Sequence, residues 1–190
     1  MLQQTQVTRV EGYYHRFLEQ YPSLEALASA TPAMVRESWS GLGYYRRADN
    51  LHRLARTVAA EHGGSLPREV DALRSLPGIG RYTAGAIASF AYEAAVPAVD
   101  TNVGRVIRRA FHPRAGSTAH DERKLWDTAQ ALLPRRGRAA WALNQGLMEL
   151  GAMVCTARRA WCESCPVTVL CATGRRRVPR PPRSTGVRGD

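Results

Sequence analysis

From Leu76 to Asp100 the chain reads LPGIGRYTAGAIASFAYEAAVPAVD, and this stretch limits the available folds more than any other. It opens on a Pro-Gly-Ile-Gly turn, where Gly78 and Gly80 can take positive φ or let another backbone come close. Arg81, Tyr82 and Thr83 then start an Ala-rich run in which Ile87, Phe90 and Ala91 recur at helical spacing. A glycine turn feeding a helix start aims backbone N–H groups at one point, a seat for a phosphate oxygen. Gly78, Gly80, Arg81 and Thr83 are therefore candidate phosphate contacts. Pro97 breaks the chain and delivers Asp100 just before a second helical run, Thr101–Phe111. A glycine turn alone is a weak signal; one followed by an acid at a helix start is a better one.

The rest of the chain reads as short helices with short connections. Val7, Val10, Tyr14, Phe17 and Leu18 recur at three and four residues, which predicts a helix over 7–21. Ser23 and Thr31 are expected to cap the next two, with Pro32 at a first helical position. Gly41-Leu-Gly-Tyr-Tyr45 is a break, and Arg46 to His62 is helical again, ended by Gly63-Gly64. A short helix over 67–76 leads into the glycine turn, making a helix-hairpin-helix that grips a nucleic-acid backbone without reading sequence. Helices over 120–133 and 138–153 complete the set. No alternating strand pattern persists, so the expected class is all-α.

The chain has 190 residues and a formal net charge of +11, which points to a polyanionic partner, most simply nucleic acid. Lys124 is the sole lysine, so an arginine-rich codon bias contributes to that charge. Six of the arginines fall in GRRRVPRPPRSTGVRGD, from Gly174 onward, a stretch expected to be a disordered basic tail. The remainder stays basic. No apolar run reaches membrane-spanning length and the N-terminus lacks a signal-peptide layout, so the expected location is cytoplasmic, at the bacterial nucleoid.

All four cysteines, Cys155, Cys162, Cys165 and Cys171, fall together in a C-x6-C-x2-C-x5-C pattern. A cytosolic location disfavours disulfides, which leaves a four-thiolate metal site. Zinc accepts four cysteines but usually shows two short pairs, and here only Cys162 and Cys165 form one. One close pair with two longer arms suits a [4Fe-4S] cube better. Arg158 and Arg159, between the first two cysteines, are either solvated or phosphate contacts.

With hairpin, acid and cysteines in this order, the chain resembles the endonuclease III superfamily of helix-hairpin-helix DNA glycosylases, and within it the MutY-type adenine glycosylases. The resemblance is carried by MLQQTQV, GLGYYRRADNLH, LPGIGRYTAGAIASFAY, VDTNVGRV, NQGLMELGAMVC and the cysteine spacing, from Met1 to about Thr173. It implies a six-helix barrel lobe over 1–111, with the hairpin at about 68–91. The rest of a [4Fe-4S] cluster lobe follows over 112–173, with its four-Cys loop at 155–171, and then the tail. The implied partner is double-stranded DNA carrying a mismatched or oxidised base pair, bound by a monomer. The implied reaction is removal of adenine mispaired with 8-oxoguanine or guanine.

Breaking an N-glycosidic bond requires a proton on the base, stabilisation of a sugar cation, and a base already out of the stack. Asp100 matches the family's catalytic aspartate, a role compatible with capping the helix that follows it. Asn102 matches a residue that organises that carboxylate. Tyr82 matches a tyrosine in the same pocket, although plain helix packing would also account for it. Strand-cleaving members carry a lysine at that position for a Schiff base, so a tyrosine there implies a monofunctional enzyme. Gln3, Gln4 and Tyr44 match residues that contact or wedge into the duplex around the opposite base. Of the neighbours Tyr44 and Tyr45, Tyr44 is expected to face DNA and the other to join the core.

Two departures from the family pattern stand out. Its general acid is a glutamate lying two residues before the point where this sequence begins, so the chain as given is expected to be truncated and to lack that acid. Glu11 is a substitute by proximity only. The chain is likewise expected to lack the family's C-terminal 8-oxoguanine-reading domain, with the basic tail in its place. The alternatives are a thymine-mismatch glycosylase, because relatives with the same tyrosine remove thymine from T·G pairs, and a non-catalytic, cluster-containing DNA-binding module.

Overall fold

The computed structural model describes Met1 and residues 5–178. Within them the chain is all-α, and its β structure is confined to an isolated bridge between Cys155 and Ala160. It forms two compact units, Met1–Ala84 and the part from Gly85 onward.

The first unit holds α1 (Val7–Gln20), α2 (Leu24–Ser29), α3 (Pro32–Ser38), α4 (Arg46–Glu61) and α5 (Val70–Ser75). The expected caps form. Ser23 accepts from the Ala26 amide at 3.1 Å and Thr31 from the Met34 amide at 3.3 Å, with Pro32 at the start of α3. Helices α2 and α3 pack on α4 around Phe17, Leu27, Val35, Trp39 and Ala48. Phe17 anchors this core through ring contacts with Tyr21 at 4.8 Å and Trp39 at 6.0 Å. The Gly41–Tyr45 break departs from expectation, because neither tyrosine enters the core. Tyr44 is 65% exposed and Tyr45 44%. Trp39 and Leu42 already fill the space below, and positive φ at Gly41, Gly43 and Tyr44 turns the chain outward.

Helix α6 (Arg81–Tyr92) starts in the first unit and runs into the second. Its buried side is formed by the small residues Ala84, Gly85, Ala88 and Ser89. The cause lies in the segment after the helix. A methyl group at Gly85 would overlap the Pro97 carbonyl oxygen, so backbone packs directly on backbone there.

The second unit continues with α7 (Thr101–Phe111), α8 (Ala119–Leu132), α9 (Gly137–Glu149), a π-helical turn (Leu150–Val154) and α10 (Gly174–Arg177). Helix α7 packs against α8, α9 and the π turn, with Val99, Val103, Ile107, Leu125, Trp126 and Ala129 forming the core. These contacts place α7 in the second unit. The start of α10 also departs from the disorder expected from 174. Gly174 donates its amide to Cys171 Sγ at 3.2 Å and Arg175 to the Cys171 carbonyl at 2.9 Å, which ties the first turn to the cysteine loop.

Helix α9 begins against the loop that follows α6. A methyl group at Gly137 would overlap the Glu93 carbonyl oxygen, and Glu93 itself holds a φ of 52°. Gly137→Ala must therefore move backbone on one side or the other, and about 2–3 kcal/mol of stability should be lost. Chemical denaturation would show it as a lower midpoint with an unchanged slope. An unchanged midpoint would mean that the two segments part without cost.

Candidate active site

Asp100 stands where the extended segment after α6 meets the start of α7, and its side chain caps that helix. One carboxylate oxygen accepts from the Val103 amide at 2.7 Å, and the other from Asn102 Nδ2 at 3.0 Å. Both residues are half-buried, so the carboxylate is held by two donors while part of it still meets solvent. Asn102 is held in turn, because its Oδ1 accepts from Arg105 at 2.6 Å. The Arg105 guanidinium also donates to the carbonyls of Gly151 at 2.7 Å and Cys155 at 2.8 Å. A planar fork of donors suits three acceptors arranged around it.

That arrangement depends on a close approach. A Cβ at Gly151 would lie 2.7 Å from Asn102 Cβ and 2.8 Å from its carbonyl oxygen. Gly151 is buried in the π turn, a wider helical coil that often marks functional sites. The turn therefore sits directly against the residue that steadies Asp100.

The cysteine loop hangs on the last turn of α7. Carbonyls at a helix C-terminus lack intrahelical partners, and here the loop supplies them. The Arg109 carbonyl accepts from the Thr173 amide at 3.2 Å and its hydroxyl at 2.6 Å, and the Ala110 carbonyl accepts from the Ala172 amide at 2.9 Å. The Arg109 side chain grips the other end of the loop, donating to the Thr156 carbonyl at 2.8 Å and to Cys155 Sγ at 3.3 Å. Cys155, Cys162, Cys165 and Cys171 are free thiols, and all four line one pocket. Burial pushes the Cys165 thiol up, against a hydrogen bond from Val167, and the other three thiols raise it further. Among the described residues no group of three or more His, Cys, Asp or Glu side chains closes tightly enough for a single metal ion. Arg159 stacks on the Trp161 ring at 3.5 Å, while Arg158 stands exposed beside it.

In the first unit the hairpin is formed as expected, with α5 leading through Leu76–Gly80 into α6. Gly78 takes a φ of 78°, and a Cβ there would lie 2.7 Å from Asn50 Cβ, so the position demands glycine twice over. Gly80 does not take positive φ; it lets its carbonyl accept from the Ala84 amide at 2.9 Å, starting the helix. Arg81 and Tyr82 are exposed on the first turn, Tyr82 at 39%, and Thr83 is half-buried. Gln3 and Gln4 lie outside the described residues. Of the catalytic candidates, the structure joins Asp100 to Asn102. It adds Arg105, Arg109 and Gly151, which sequence reasoning missed. Arg105 had one local signal, standing a helical turn after Asn102.

The sequence matches the family model described as HhH-GPD superfamily base excision DNA repair protein over residues 1–131. The adenine DNA glycosylase of Mycolicibacterium smegmatis is 50% identical over 168 residues, covering 88% of this chain and 56% of that protein. The adenine DNA glycosylase of Homo sapiens is 47% identical over 180 residues, covering 93% of this chain and 32% of the human protein. The chain thus spans about half the length of the first and a third of the second. Among solved structures, a thermostable thymine-DNA glycosylase gives a TM-score of 0.81 at 30% identity, over 92% of this chain and 80% of that one. Endonuclease III trapped as a covalent intermediate with DNA gives 0.77 at 26% identity, with the same coverage of each chain. The family match takes in the hairpin and reaches past the Asp100 cap into α8, so two features read first from the residues fall inside it. The chain belongs to the HhH-GPD superfamily of base excision DNA repair proteins.

Proposed function

We propose that this chain carries the catalytic core of a monofunctional DNA glycosylase, which hydrolyses the N-glycosidic bond of adenine mispaired with 8-oxoguanine or guanine. The observation that carries the reading is the Asp100 carboxylate, fixed by the Val103 amide and Asn102 while still half-exposed. Departure of a purine leaves positive charge on the sugar, and a carboxylate held in one orientation stabilises that charge without reorganising. Adenine as the substrate rests on the relatives at 47% and 50% identity. The thymine glycosylase at 30% identity supplies the second reading, and the same assay tests it.

The other residues take supporting parts. Tyr82 is assigned to the base pocket beside the hairpin. Gly78, Gly80, Arg81 and Thr83 are assigned to the DNA backbone, with the first turn of α6 offering N–H groups and positive dipole to a phosphate. Tyr44, exposed at a positive φ directly after Gly43, has the bearing of an intercalating wedge at the opposite base, with Gln3 and Gln4 assigned to the same region. Cys155, Cys162, Cys165 and Cys171 would hold a [4Fe-4S] cluster. Four free thiols around one pocket, spaced as one close pair with two longer arms and with N–H donors on two of the sulfurs, suit that cage better than a single zinc. When bound, such a cluster would pin the loop to α7.

Single-turnover excision on A·8-oxoguanine, A·G and T·G duplexes tests the reading, using this chain beside a form extended N-terminally to match its relatives. Adenine release by the extended form is the expected result. Thymine release would overturn the substrate, and binding without excision by both forms would make the protein a DNA-binding module. Borohydride added during turnover should trap no covalent adduct, because a tyrosine stands where a Schiff-base lysine would be needed. Efficient trapping would sink the monofunctional assignment.

A further inference from the structure

Asn144 lies on α9 and is 2% exposed, the most deeply buried amide side chain of the second unit. A buried amide is costly unless its donors and acceptor find partners, and this one finds three. Its Oδ1 accepts from the Ala98 amide at 3.2 Å, and its Nδ2 donates to the Val96 carbonyl at 2.9 Å and to Ser89 Oγ at 2.9 Å. Two of these partners belong to the extended segment that ends at Asp100, and the third belongs to α6. The same segment is pressed against Gly85 at Pro97, and Gly137 holds it at Glu93. Ala98 is fully buried, and Val99 is anchored in the core with Val103 and Ile107. The backbone entering Asp100 is thus fixed from α6 on one side and from α9 on the other.

We propose that Asn144 is a positioning residue, which sets the place of the Asp100 carboxylate by clamping the segment that delivers it. The inference rests on the reading of Asp100 as the catalytic carboxylate. The helix cap and the Asn102 bond orient the side chain of Asp100 from its C-terminal side. They cannot fix where its backbone arrives, and a carboxylate facing a developing cation is sensitive to displacements of an ångström. At 2% exposure Asn144 is closed off from any bound base or sugar, so its effect should pass wholly through Asp100.

The test replaces Asn144 with Leu, which has a similar volume and makes none of the three bonds, and follows two readouts. The first is amide hydrogen exchange. Ala98 and Val103 should lose protection by about tenfold or more while the α8 amides Leu125 and Ala129 keep theirs, as expected of a local opening. The second is single-turnover excision by the N-terminally extended form, set against its Kd for a duplex carrying an uncleavable adenine analogue. Excision should fall by about a hundredfold with the Kd changed less than about twofold. Should Asn144→Leu fail to fold, Ser89→Ala removes one of the three bonds, and a fall of about fivefold in excision is expected at unchanged Kd. A loss of excision matched by equal losses in binding and in α8 protection would reduce Asn144 to a packing residue and overturn the proposal. So would unchanged exchange at Ala98 and Val103. If the N-terminally extended form without substitutions releases no base while exchange responds as described, the functional reading fails and the placement of Asp100 by Asn144 stands.

Discussion

Asp100→Asn should lower single-turnover base excision by about a thousandfold or more while leaving the protein folded. The two expectations come from the two oxygens. One accepts from the Val103 amide and caps α7, and the asparagine carbonyl can take over that bond, since Asn caps helices as well as Asp does. The other accepts from Asn102, and an NH2 group there meets a donor instead. Both side chains are half-buried, so the displaced donor is near enough to the surface to find water. What asparagine cannot supply is the negative charge facing the sugar. Asp100→Ala should lose both functions, with an added stability cost of about 1 kcal/mol from the missing cap. Excision rates beside thermal melts separate the roles. If Asp100→Asn keeps even a tenth of the wild-type rate, the carboxylate is a helix cap and the catalytic group lies elsewhere.

How much of this was visible beforehand depended on the range of each interaction. The caps at Ser23, Thr31 and Asp100 each bond to an amide three residues ahead, so the sequence neighbourhood contains the whole interaction. Helix α7 matched its expected bounds for that reason. The aromatic pair at 44–45 was misjudged because which ring enters a core is settled by space already taken, here by Trp39 and Leu42. The close packing of α6 at Gly85 had no local mark either. Gly85 needs to be glycine only because Pro97 returns against it. Gly151 and Asn102 lie far apart in sequence, and nothing local marks their contact. The basic composition hid a further distinction. Arg105 and Arg109 add to the net charge, yet their guanidinium groups hold the protein's own carbonyls. Counting charge identified a class of partner; it could not say which arginines were already committed.

That commitment makes Arg105 the second position where a large effect is expected. Arg105→Leu removes the donors for Asn102 Oδ1 and the Gly151 carbonyl, and leaves the Cys155 carbonyl with only its longer bond from Arg109 at 3.3 Å. Two acceptors left unsatisfied and a third weakened, in a half-buried setting, should cost about 2–4 kcal/mol in total, less than independent bonds because they share one side chain. The catalytic cost is separate. Without Arg105 the Asn102 amide is free to turn, its Nδ2 leaves the Asp100 carboxylate, and excision should fall by about tenfold to a hundredfold. Arg105→Lys keeps a positive charge, but its ammonium is not a fork and can serve only part of the set, so it should fall between leucine and wild type. The neighbouring Arg108 makes a surface ion pair with Glu122 at 2.8 Å, and Arg108→Gln should leave excision unchanged and cost less than about 1 kcal/mol. The three variants together discriminate between explanations. If the lysine variant excises at the wild-type rate, positive charge near Asn102 is sufficient and the hydrogen-bonded fork is incidental. If Arg108→Gln slows excision as much as Arg105→Leu does, the effect belongs to the net charge of α7. A ranked loss at Arg105 with none at Arg108 means that the bonds linking the cysteine loop and the π turn to Asn102 are what keep the carboxylate in place.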